Sequence, residues 1–218
     1  MHIVSDLRDR FGIIRDQGQR PTCLAMSASD VHGSHQGAIN LSAEYLFYQG
    51  VRLMTPPDPH AGLTTGVVST VLGSDGQPLE ADWPYQTTQP DPWSPPGGLG
   101  RMWISEMEFR KAAADEAAHI IGSGKPLVLG LALSTAFFTP DTAGRLRFQQ
   151  GDLDTPHRHA VVGVAAAYST EGDMNVLVRN SWGDGWGLNG HAWLPVGYLE
   201  KRLLWIGSIG GDAANEAH

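Results

Sequence analysis

After Gly124 the chain changes character, and that change limits its architecture more than any other feature. Upstream, apolar residues recur at helical spacing between Gly- and Pro-rich loops. Downstream they fall into the short runs LVLGLALS, HAVVGVAAAY, NVLVRNSW and GHAWLPV, divided by Gly, Asp and Pro. Short apolar runs bounded by turn-forming residues read as strands of an antiparallel sheet or small barrel. Helices first and strands second predict an α+β protein with two segregated lobes and argue against a βαβ layout. We place a helical lobe at about residues 11–110 and a β lobe at about 111–210. Together they form one unit over 1–210, followed by a small, polar tail at 211–218 that is expected to be flexible. A length of 218 residues suits two small lobes sharing a cleft.

Within the first half, Pro21-Thr22 ahead of CLAMSASDVHGSHQG marks a helix start with Thr22 as N-cap, and Gly33 weakens the later part of that helix. Ser42 caps a second helix in LSAEYLFYQGVRLM, and Thr64-Thr65 precede a third in GVVSTVLG. The proline-rich stretch from Trp83 to Gly100 is an irregular connection. A further helix is expected from about Ser105 to Gly122, with Phe109, Ala113, Ala117 and Ile120 at helical spacing.

Composition excludes several functions. With 41% hydrophobic and 17% charged residues the chain is not wholly disordered. A formal net charge of -8 gives no electrostatic support to a nucleic-acid partner. The N-terminus, MHIVSDLRDRFG, lacks the apolar core of a signal peptide, and no run approaches the ~20 apolar residues of a membrane helix. The expected location is therefore cytoplasmic, unless a signal-independent secretion route delivers the protein, and no membrane partner is expected. His32 and His35 lie three apart on a predicted helix, but no Asp, Glu or Cys accompanies them at matching spacing. We expect no metal and no cofactor. Asp30, Asp152 and Asp154 read as solvated charges, and His157 as an exposed loop residue.

The chain has one cysteine, so neither an intrachain disulfide nor a zinc–thiolate cluster can form. A lone Cys is by default a small buried hydrophobe. The surroundings of Cys23 reverse that default. As the first residue of a helix it would meet free N–H groups and the positive dipole end, which lower a thiol pKa. His159 opens the strand run HAVVGVAAAY and can serve as the base of a thiolate–imidazolium pair. Asn180 ends the strand NVLVRN and can fix the tautomer and ring plane of that base. Trp182, two residues on, can cover the Asn180–His159 hydrogen bond.

The segments DQGQRPTCLA, HAVVGVAAAY and VRNSWGDGWGLNGHAWL, in this order, resemble the three signature blocks of the papain-like (C1) cysteine peptidases. The spacing from Cys23 to His159 falls in the range of about 130–150 positions found in that family, and Asn180 lies slightly beyond it. LSAEYLFY, HAGLTTGVVSTVLGSDGQPLEADWPY and KPLVLGLALS are similar to weaker family segments, so the resemblance covers most of residues 6–207. It implies a papain-like two-lobed fold with a cleft between the lobes. It further implies a thiol endopeptidase acting on protein or peptide substrates through a thioester acyl-enzyme. In that scheme Cys23 attacks, His159 moves the proton, Asn180 orients His159, and Gln17 with the Cys23 backbone N–H binds the oxyanion. Gly62, Leu63 and Thr64 would line the non-primed side of the cleft, Leu129 to Leu131 would stand opposite, and Trp182 and Trp186 would lie on the primed side. Ordinary core packing is the competing reading of the two tryptophans.

Departures from the family pattern matter too. Arg20 stands where secreted relatives carry a disulfide cysteine, and Pro21-Thr22 and Leu24 replace the usual neighbours of the nucleophile. Arg158 precedes His159, where a nearby guanidinium would disfavour the imidazolium. With 22 residues before Cys23 no pro-segment is expected, so restraint by a separate inhibitory or regulatory protein is one expectation. Fold and triad alone do not fix the bond or the acceptor. Acyl transfer, deamidation on the same triad, and a catalytically silent binding protein of this fold are the alternative readings.

Overall fold

The structure is a computed structural model and describes residues 1–148 and 152–210; the tail at 211–218 lies outside the described residues. Three helices make the first lobe. Helix α1 (Cys23–His35) is buried along nearly its whole length, and its small residues Ala25, Ser27, Ala28 and Ser29 let it press against the sheet. It continues through Gly33 because only a residue without Cβ fits there, against the carbonyl of Ile39. Helix α2 (Ala43–Leu53) starts at Ser42, whose Oγ accepts from the Tyr45 N–H at 3.0 Å. Helix α3 (Thr65–Ser74) starts at Thr64, whose hydroxyl accepts from the Val67 N–H. Both caps satisfy amides that have no partner inside the helix.

The second lobe is an antiparallel sheet. Its strands are β1 (His2–Asp6), β2 (Met107–Arg110), β3 (Leu127–Ser134), β4 (Asp154–Tyr168), β5 (Met174–Arg179), β6 (His191–Pro195) and β7 (Leu203–Ile209). The order is β2-β7-β3-β4-β5-β6, with β1 added to β4. Helices α4 (Ala114–Gly122), α5 (Thr135–Phe138) and α6 (Val196–Arg202) accompany it. Both faces of the sheet are covered. Leu127, Leu129, Leu131 and Leu133 of β3 and Val161 of β4 face a core with α4 and α6. Val128, Ala160, Val162 and Val164 face a core with α1, α2 and α3. This double burial is why LVLGLALS and HAVVGVAAAY are unbroken apolar runs, with no polar alternation.

The helix expected over 105–122 is half strand. Residues Met107–Arg110 pair with Ile206–Ile209, and Phe109 stands edge-on to Trp205 at 5.3 Å over the bare backbone of Gly207. A free strand edge and an aromatic partner outweigh helical spacing in so short a segment. The sheet therefore takes in residues 2–6 and 107–110 from the first half of the chain.

Asp30 is not a solvated charge. It lies between Arg15 Nε and Arg179 Nε, at 2.7 Å from each, and joins α1 to the N-terminal loop and to β5. Asp152 also has a structural task, accepting from the Thr135 hydroxyl at 2.7 Å and the Ala136 N–H at 3.1 Å at the start of α5. Asp154 is exposed and pairs with Arg202. His157 is exposed as expected, but on β4 and not in a loop. His32 is buried with Nδ1 at 2.9 Å from Gln77 Oε1. Among the described residues, no helix is long and apolar enough to cross a membrane.

Candidate active site

Helix α1 places Cys23 at its first position, half-buried at the junction of the lobes. Thr22 occupies the N-cap position without capping, because its hydroxyl is turned to the Tyr85 hydroxyl at 2.8 Å. The helix-start amides are thus not taken up by a side-chain cap, and the backbone of Ala160, Leu24 and Cys23 itself acts on the thiol to favour its charged form. Burial nevertheless pushes the Cys23 thiol up, and these backbone groups offset this only in part. The helix start pulls in the direction expected from sequence, but desolvation prevails.

Ala160, one of those three, is the residue next to His159 on β4. His159 is buried, and its Nε2 lies 2.7 Å from Asn180 Oδ1. That oxygen also accepts from the Ser181 N–H at 2.8 Å, so it is the amide oxygen and Nε2 must donate. The tautomer follows: Nδ1 of the neutral ring carries the lone pair. Trp182 lies over the imidazole at 4.6 Å between ring centres, with Phe137 edge-on at 6.0 Å. Phe138 stacks on Trp182 at 5.5 Å. This aromatic enclosure removes water from the His159–Asn180 bond.

Enclosure also sets the charge state. Burial lowers His159 from the ordinary histidine value to about 4, and the Asn180 hydrogen bond recovers only part of the loss. Arg158 plays no part in this; it is exposed, and alternation along β4 sends its side chain away from that of His159. Burial thus opposes a charge on either group alone, in contrast to the resting ion pair expected from sequence. A neutral base with pKa about 4 predicts that kcat/KM on a small amide rises through about pH 4 and is level from there towards neutrality. A single acidic limb near pH 6.5 would contradict the buried-histidine account.

Gln17 is fastened to the Asn180 segment. Its N–H donates to the Ser181 carbonyl at 2.8 Å, and its Oε1 accepts from Ser181 Oγ at 2.8 Å. Its Nε2 donates to the Arg20 carbonyl at 2.9 Å, which leaves the second amide hydrogen for another acceptor. The structure therefore brings Gln17, Cys23, His159 and Asn180 into one connected region.

The cleft residues divide. Gly62 lies against the Pro21 carbonyl, where a Cβ would come to 3.6 Å, so its backbone borders the loop that leads to Cys23. The Leu63 side chain instead fills the core over Gly50, and the Thr64 hydroxyl is used to cap α3. Leu129 and Leu131 are fully buried core residues, because the face of β3 that bears them packs against α4 and α6. Trp182 is half-buried beside His159, whereas Trp186 is core, donating from Nε1 to the Phe137 carbonyl at 3.2 Å. Three features of the region carry no sequence signal: the Asp30 brace, the Phe137–Phe138 aromatic wall, and a buried pair of Arg20 with Glu44.

A helical lobe and an antiparallel sheet meeting at a Cys, a tautomer-fixed His and an Asn define the papain-like fold. Solved structures agree. Xylellain, a cysteine protease from Xylella fastidiosa, is 21% identical with a TM-score of 0.74, covering 94% of this chain and 84% of its own. The cysteine protease CMS1MS2 of Carica candamarcensis is 18% identical with a TM-score of 0.71, covering 94% and 96%. A structure from work on the mite allergens Blo t 1 and Der p 1 is 22% identical with a TM-score of 0.76, covering 94% and 70%. Among curated proteins, an uncharacterised peptidase C1-like protein of Acanthamoeba polyphaga mimivirus is 33% identical over 95 residues. That match spans 41% of this chain and 30% of the relative's length. No protein-family model matches the chain.

Proposed function

We propose that the protein is a cysteine endopeptidase that cleaves peptide bonds through a thioester acyl-enzyme. The observation that carries this reading is the 2.7 Å bond from His159 Nε2 to Asn180 Oδ1, one residue from Ala160, whose backbone favours the charged form of the Cys23 thiol. With Nε2 committed to Asn180, Nδ1 is the nitrogen free to take the thiol proton. When a substrate carbonyl enters, Cys23 attacks it as its proton passes to His159, so the imidazolium and the carbonyl-derived oxyanion appear together and neither charge is buried alone. The oxyanion is received by the Cys23 N–H and the remaining Gln17 amide hydrogen. His159 then returns the proton to the leaving amine, and water, deprotonated by the same ring, opens the thioester. Gly62 lets an extended substrate backbone approach.

Two measurements test this together. An epoxysuccinyl probe of the E-64 type, the inhibitor bound in the Carica candamarcensis enzyme, is expected to add one equivalent at Cys23. Mass-resolved profiling of a proteome-derived peptide library is expected to show internal cleavage by wild type and none by Cys23→Ala. Folded protein that neither labels nor cleaves would leave a binding role. Mass changes without chain scission would indicate transfer or deamidation.

A further inference from the structure

Arg20 stands three residues before Cys23, and no step of the proposed reaction uses its charge. It is 4% exposed, and its partner Glu44 on α2 is 0% exposed. The two form a forked pair, with one guanidinium nitrogen 2.6 Å from Oε2 and the other 2.9 Å from Oε1. Glu44 also accepts from Trp93 Nε1 at 2.7 Å and from the Gln86 N–H at 3.2 Å, while Arg20 donates to the Gln86 carbonyl at 2.7 Å. Phe47, Tyr85 and Trp93 surround the guanidinium, with ring centres 4.9–5.4 Å away. An ion pair this deep incurs a large desolvation cost, and apolar residues of similar volume often serve stability as well. What the fork adds is a fixed orientation.

That orientation is transmitted to the site. The Arg20 carbonyl accepts from Gln17 Nε2 and from the Thr22 N–H, each at 2.9 Å. Tyr85, whose ring lies against the guanidinium, donates its hydroxyl to the Gln17 carbonyl at 2.8 Å and pairs with the Thr22 hydroxyl. The side chain of Arg20 is therefore anchored in α2 while its backbone holds the side-chain amide proposed to bind the oxyanion. We propose that Arg20 is a positioning residue: the buried Arg20–Glu44 pair aims the Gln17 amide. This rests on the proposed function and deepens it.

The test compares wild type, Glu44→Gln, Arg20→Lys, Gln17→Ala and the Glu44→Gln/Gln17→Ala double variant. Two rates are measured: hydrolysis of a peptide amide, and alkylation of Cys23 by iodoacetamide, which forms no tetrahedral oxyanion. Loss of one oxyanion donor costs on the order of 10²–10³ in kcat. Glu44→Gln, which misaims the donor without removing it, is expected to lower kcat by at least about tenfold with KM and the alkylation rate nearly unchanged. Arg20→Lys, which keeps the charge but loses the fork, should fall between it and wild type. In the Gln17→Ala background the Glu44→Gln effect should vanish, since two changes acting through one group are not additive. Equal losses in both backgrounds, or a matching loss of alkylation, would overturn the proposal and leave a purely structural pair. Should wild type alkylate normally but hydrolyse no amide, the proposed function fails. The tether is then judged by the Gln17 side-chain amide resonance, which must move in Glu44→Gln; an unmoved resonance overturns it.

Discussion

His159→Ala is expected to lower kcat/KM for a peptide substrate by roughly 10²–10⁴-fold or more, with the protein still folded. Burial pushes the Cys23 thiol up, so at neutral pH it holds its proton, and in the proposed mechanism His159 is the base that takes it. Removing the imidazole leaves only solvent to take that proton, and the leaving amine loses its acid. The loss should lie in kcat, because the cleft backbone that would hold the substrate is untouched. It should diminish at high pH, where the thiolate forms unaided. Alkylation of Cys23 in the variant should show one titration at a pH above that of an ordinary thiol. The aromatic wall of Trp182, Phe137 and Phe138 remains, so near-ultraviolet circular dichroism reports whether it has collapsed into the space left. A loss of less than tenfold in folded protein would remove His159 from the chemistry.

Asp30→Asn should be the most destabilising single polar substitution we foresee, at about 3–5 kcal/mol, because it strips a shared partner from two buried guanidiniums. Arg15 keeps Glu80 at 3.0 Å and the Leu41 carbonyl at 2.8 Å. Arg179 keeps its contact with the Ile13 carbonyl and with the Phe11 ring, whose centre is 5.6 Å away. The midpoint of urea unfolding measures the change, and a shift worth less than about 1 kcal/mol would reduce the brace to a solvated pair. The pH dependence has a definite sign. Burial raises the Asp30 pKa, but Arg15 and Arg179 outweigh it and hold the folded value below the ordinary one. The carboxylate therefore contributes stability that is complete above its unfolded pKa of about 3.9, and that is lost as pH falls through the lower folded value. Wild type should lose stability in that acid range through a step that Asp30→Asn lacks. The brace matters for function because Arg179 precedes Asn180 and Arg15 lies two residues before Gln17. It ties together the two segments that carry the groups proposed to orient His159 and to bind the oxyanion.

Several features were legible because their cause is local. Ser42 was legible as a cap and Thr64 as a residue ahead of a helix, and each hydroxyl accepts a helix-start amide. The β3, β4, β5 and β6 runs are apolar and bounded by turn formers, and each is a strand. Thr22 shows the limit of that logic. It sits at the N-cap position, yet Tyr85, far along the chain, takes its hydroxyl. Strands β1, β2 and β7 went unread because strand pairing depends on a partner that the segment itself does not encode. Leu63 and Leu129 looked like cleft residues by position, but the direction of each side chain is set by the surface packed against it. Asp30 looked solvated because a single charged residue on a helix usually is.

From residue order alone came the division into helices and strands, the single thiol at a helix start, and the succession of Gln17, Cys23, His159 and Asn180. These rest on periodicity, capping chemistry and spacing, which are properties of neighbouring residues. Tertiary structure decided the rest. It set the burial that raises the thiol and brings His159 down to about 4. It placed Asp30 between two arginines and joined Arg20 to Glu44, beneath the amide of Gln17. Desolvation and ion pairing depend on what distant segments bring to a point, and no local pattern in the chain carries that information.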